Sequence, residues 1–163
     1  MAKLKTFTER LKKYGPGKAI ELDNQSHYKR YSRIKKKVNE ILTYDYTYFI
    51  TFTLHDKGLK RDKEYLIRKI KEAIGSASLY IANEDYGSER GRLHFHALAC
   101  FNEQLDYTIP DNYVNEKWKY GTVDFKPIHT KNDAAITKYL TKLTNHAVKD
   151  TAKKIIYSRG FSK

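Results

Sequence analysis

Hydrophobic residues alternate with period two from Tyr46 to His55. Tyr48, Ile50, Phe52 and Leu54 fall on one side, Phe49, Thr51 and Thr53 on the other. Side chains on a strand point alternately to opposite faces, so this stretch predicts a strand, and its partly apolar second face predicts a central one. Over Arg61 to Ile74 the period lengthens. Leu66, Ile70, Ala73 and Ile74 form one stripe at helical spacing, and Gly75 ends the helix. Gln25 to Leu42 reads as a helix too, with Ile34, Val38, Ile41 and Leu42 as its apolar stripe.

Leu79 to Ala82 is a short strand ending near Glu84, and His94 to Phe101 is a second, apolar enough after His96 to be central. Gly87 to Gly91, rich in charge and glycine, reads as the hairpin loop between them. Leu105 to Trp118 is irregular or contains a short helix after Pro110. Gly121 to His129 alternates through Val123 and Phe125, with Pro127 marking an edge or a bulge. Asn132 or Asp133 can cap a helix running to about Val148. Ile155 to Tyr157 adds a strand before a basic, mobile tail. Residues 1–24 are basic and broken by Gly15-Pro16-Gly17, an arm with at most one short helix, which leaves 25–163 as a single domain. Helices segregated from a run of strands make an α+β fold, a central antiparallel β-sheet with flanking helices.

Charge changes the picture from fold to partner. Lys plus Arg number 32 against 19 for Asp plus Glu, a net charge of +13. This exceeds the magnitude of about 2–8 that solubility asks of a small domain, and predicts an anionic partner, nucleic acid first. Among the basic residues, Lys29, Arg30 and Arg33 on the first helix, Arg90 and Arg92 in the hairpin loop, and Lys138 are the DNA-contact candidates; for the first helix a solvated face is an equal alternative. The 14 Tyr and 7 Phe exceed what the core stripes use, and some can stack on unpaired bases. Cys100, the single cysteine, lies in an apolar run and reads as a buried structural thiol. No apolar run approaches the roughly 18–20 residues of a membrane span, and the basic N-terminus has no signal core, so an intracellular, cytoplasmic protein is expected. No phosphate-loop pattern is present, so no ATPase or helicase activity is expected of the chain.

The chemistry gathers around His94-Phe95-His96. The two imidazoles share one strand face, and a carboxylate from the preceding strand would complete a metal site with open positions. Glu84 is the expected third ligand because it ends that strand; Asp85 is expected on the opposite face, and Glu89 in the loop. Two borderline nitrogens and one hard oxygen suit Mg²⁺ or Mn²⁺ beside a phosphate substrate. His55, His129 and His146 lack such a context and read as structural or surface residues.

His-hydrophobic-His on a strand, a carboxylate just upstream, the Tyr48 to Leu54 strand, and Tyr139-Leu140-Thr141-Lys142 on a later helix resemble the HUH endonucleases. The set, spanning roughly residues 46–145, is most similar to the single-tyrosine rolling-circle replication initiators of plasmids and small single-stranded DNA viruses and phages. The resemblance implies a ferredoxin- or RRM-like palm and metal-dependent nicking and joining of single-stranded or hairpin origin DNA. It implies Tyr139 as the nucleophile that forms a 5′-phosphotyrosine, and a host helicase and polymerase as partners. Lys142 lies on the neighbouring turn, where a cation favours the phenolate and offsets charge at the transition state. Positions 135 and 143 are Ala135 and Leu143, so a second helical tyrosine is absent. How one protomer finishes a cycle is open, and an oligomer is one answer. The alternatives are a single-tyrosine HUH transposase, a non-catalytic RRM-like nucleic-acid-binding module, and an iron oxygenase; against the last, a chain this basic does not suggest an uncharged small-substrate pocket.

Overall fold

In a computed structural model, the protein is described over residues 7–86, 93–105, 117–129, 132–142 and 155–162. The basic N-terminus forms α1 (Phe7–Tyr14), and the long helix α2 (Pro16–Ile41) follows directly. α2 begins well before Gln25. Pro16 stands in its first turn, where a missing N–H costs nothing and a fixed φ is already helical. Gly15 makes the reversal between the helices at φ 77°, a left-handed conformation that glycine adopts without strain. Arg10 ties α1 to α2 through Asp23 at 3.3 Å.

The remaining elements are β1 (Tyr46–Leu54), α3 (Asp56–Leu59), α4 (Lys63–Ala73), β2 (Leu79–Tyr86), β3 (Leu93–Phe101), β4 (Gly121–Pro127), α5 (Asp133–Lys142) and β5 (Ile155–Tyr157). Asp62 caps α4, accepting from the backbone N–H groups of Glu64 and Tyr65. The five strands form one antiparallel sheet in the order β4-β1-β3-β2-β5. The chain leaves β1, crosses through α4 and returns as β2 with β3 inserted between them, a split β-α-β arrangement. The fold is α+β, as the order of elements predicts. β1 is interior and β4 is an edge strand, which is where Pro127 can sit without breaking a ladder.

The sheet has two apolar faces. On one, Tyr48, Ile50, Phe52 and Leu54 meet Phe95, Ala97 and the α4 stripe of Leu66, Ile70 and Ala73. On the other, Leu79, Ile81, Leu98 and Cys100 are covered by Ile34, Val38 and Ile41 of α2 and Leu140 of α5. The tail does not run free: Phe161 packs against this second core, and the Ser162 N–H donates to the Glu40 carboxylate at 3.0 Å. Of Leu105 to Trp118, which the sequence predicts to be irregular or to contain a short helix, residues 106–116 lie outside the described residues. So do the hairpin loop of Gly87 to Gly91 and the far end of the helix expected to reach Val148.

Candidate metal centre

The site is built by strand register. β2 and β3 pair so that Asp85 stands opposite His94 and Asn83 opposite His96. Residues directly opposite in an antiparallel pair project to the same face. Asp85, His94 and His96 therefore share the face that also carries Leu98 and Cys100, and their ligand atoms all lie within 4.8 Å of one another. A single carboxylate oxygen, Asp85 Oδ2, is 3.4 Å from His94 Nε2 and 3.5 Å from His96 Nε2. The imidazole rings meet edge to face with centroids 4.7 Å apart.

Glu84 is not part of this group. The register pairs it with Phe95, which turns it to the α4 face. There it is 2% exposed and meets Lys63 Nζ at 3.3 Å. Asp85, not Glu84, therefore faces the two histidines, against the expectation that Glu84 stands beside them as third ligand and Asp85 points to the opposite face. β2 continues to Tyr86, beyond the expected end near Glu84, and a one-residue change of register would exchange the faces of every side chain on the strand.

The surroundings of His96 favour a neutral imidazole. Burial, with His94 beside it, pushes its pKa down to about 4 despite the opposing pull of Asp85. Thr51, paired with His96 across β1, places its Oγ1 3.2 Å from His96 Nδ1. That contact orients the ring with Nε2 toward Asp85, the second-layer contact that histidine ligands commonly make. Phe49 packs on the ring with centroids 5.4 Å apart. Two imidazoles and a carboxylate converging at half-buried to buried positions fit a divalent cation with coordination positions left for substrate oxygens.

α5 docks on this same face. The Asn132 side chain accepts from Ala135 N at 3.1 Å and caps the helix, one of the two caps expected. Leu140 is buried in the second core. The buried Asn83 amide donates to the Leu140 carbonyl oxygen at 2.9 Å. Asn83 thus stands opposite His96 on the sheet and holds the backbone one residue beyond Tyr139. Sequence reading overlooks Asn83, although a polar residue at a core-facing position of an apolar strand is a signal. Lys138, Tyr139 and Lys142 lie on α5, with their side chains outside the described residues. Lys29, Arg30 and Arg33 lie on α2, where burial and Arg33 lower the pKa of Arg30. Arg90, Arg92 and His146 fall outside the described residues; His55 and His129 are exposed and apart from the metal group, and Cys100 is buried.

Fold and site together define an α+β protein that presents two histidines and an aspartate on an antiparallel sheet, beside a docked helix. Residues 42–144, from the lead into β1 to just past α5, match a family of replication-associated proteins, that of the ORF2 type. That is more than half of the chain, and the protein belongs to this replication-associated family. Among solved structures, the crystal structure of the hypothetical protein ORF119 from Sulfolobus islandicus rod-shaped virus 1 is similar. It is 25% identical, with 73% of this chain and 97% of that chain covered and a TM-score of 0.51. No curated protein sequence matches. Among the described residues no helix is long and apolar enough to cross a membrane.

Proposed function

We propose that the protein is an HUH-type endonuclease that nicks and rejoins single-stranded DNA to initiate rolling-circle replication. The observation that carries this reading is the placement of Asp85, His94 and His96 on the sheet face against which α5, the helix of Tyr139, is docked. Membership of a replication-associated family and the net charge of +13 support it.

In this reading Asp85, His94 and His96 hold Mg²⁺ or Mn²⁺, which when bound would draw electron density from the scissile phosphate. The Tyr139 phenol loses its proton and its oxygen attacks phosphorus in line. A P–O bond forms to the tyrosine, the P–O3′ bond breaks, and the proton balance closes with a free 3′-OH on the released end. A phenol with pKa ~10 is a weak nucleophile at neutral pH, so Lys142, on the neighbouring turn, serves by favouring phenolate and by offsetting charge as the phosphate expands. Phosphotyrosine conserves the energy of the broken bond, so attack by a 3′-OH reverses the step and joins strands. The experiment is incubation with single-stranded oligonucleotides and Mn²⁺ followed by a denaturing gel. A protein–DNA adduct that EDTA prevents is expected, and its absence with every single-stranded substrate would leave only a binding module.

A further inference from the structure

Away from the metal face, α4 and the turn that leads into it carry a second concentration of charge. Arg61, Arg68 and Lys69 all surround the ring of Tyr65, at 5.9, 5.1 and 5.7 Å from its centroid. Of the three, Lys69 has an acidic partner, Glu72 at 2.6 Å; among the described residues neither arginine has one, and both are exposed. Tyr65 is held in place: its hydroxyl meets that of Tyr120 at 2.5 Å, and the two rings stand at 90°. Tyr120 is itself fixed, because its carbonyl accepts from His55 N at 2.9 Å and the next residue is Gly121, where any Cβ would collide with the Thr53 carbonyl. Two exposed guanidiniums beside one fixed aromatic ring offer positive charge and a stacking face together, the pair of features that a single nucleic-acid strand engages.

The cluster lies at the same end of the sheet as the metal group. Thr122 is level with Thr53, and Thr53 with His94. Tyr120 is two residues beyond Thr122, or about 7 Å along the strand. The two sites thus lie at one end of the sheet, on opposite faces. We propose that Arg61, Tyr65 and Arg68 form a contact surface for the sugar-phosphate backbone and bases of single-stranded DNA as the strand passes over the end of the sheet from the metal group. The proposal rests on the single-strand binding reading above, but not on the tyrosine chemistry.

Fluorescence anisotropy with a labelled oligothymidine probe, repeated across a salt series, tests it. Each phosphate contact on a single strand contributes about 0.7 to the slope of log K against log salt, so Arg61→Ala with Arg68→Ala should lower the slope by about 1.4. Removing two lysines on α1, Lys12→Ala with Lys13→Ala, should lower it clearly less. A slope unchanged by the arginine pair, or lowered equally by the α1 pair, would overturn the surface. If the wild-type protein binds oligothymidine without salt dependence, the single-strand reading itself fails. Photo-crosslinking of the wild-type protein to 5-iodouracil DNA needs no variant: the adduct peptide should contain Tyr65 or Tyr120, and adducts confined to other elements would contradict the proposal.

Discussion

At the scale of the residue, the identity of the third ligand separates two carboxylates adjacent in sequence. Asp85→Asn should weaken Mn²⁺ binding at least as much as loss of an outer-layer partner does, about 10–100-fold. Thr51→Val should weaken it about tenfold by freeing the His96 ring to turn. Titration calorimetry reads both. Glu84→Gln should leave metal affinity unchanged and instead lower stability, by about 1–3 kcal/mol, since Lys63 loses its partner but still reaches solvent. If Glu84→Gln abolishes metal binding and Asp85→Asn does not, the register-based assignment is wrong. The lowered pKa of His96 also has a sign. Its folded pKa lies below the unfolded value of about 6.5, so the unfolded chain takes up the proton first. Metal-free protein should hold this contribution above about pH 6.5 and lose it between there and about 4 as pH falls, readable in urea midpoints across pH.

At the scale of the element, most of the sheet was legible. The alternation of β1, the stripe of α4 and the short β5 are local patterns, and local patterns survive into the fold. The start of α2 was hidden because Gly15-Pro16-Gly17 resembles a breaker, whereas proline inside the first helical turn is a start signal. The histidine pair was legible from a two-residue spacing on one strand. The carboxylate was not, because which of two neighbours faces the histidines depends on the β2–β3 register, a property of two strands and their loop. Asn83 belongs to this scale as well. Asn83→Ala removes the amide that holds the Leu140 carbonyl, and should raise hydrogen exchange in α5 while leaving α4 protected. It should slow adduct formation with Mn²⁺ affinity unchanged; equal losses of both would point to general disruption of the sheet.

At the scale of the molecule, the same sheet serves two purposes. One face with α4 provides a closed core, and the other divides between apolar packing under α2 and α5 and the polar group at its end. Polar chemistry therefore sits where the packed layer stops. The +13 charge belongs to the whole chain and predicts an anionic partner without locating the contact. The family match spans the strands that carry the ligands together with α5, so the proposed metal and nucleophile fall within one unit of fold.

The central claim is that Asp85, His94 and His96 activate a phosphate for attack by Tyr139. Peptide mapping of the covalent adduct trapped with single-stranded DNA and Mn²⁺ tests it most directly. The account predicts DNA linked to the peptide containing Tyr139, formed by wild type and by Glu84→Gln, and absent for Tyr139→Phe and for His96→Ala. Linkage to Tyr157, the exposed tyrosine on β5, or an adduct that forms undiminished in EDTA, would contradict it.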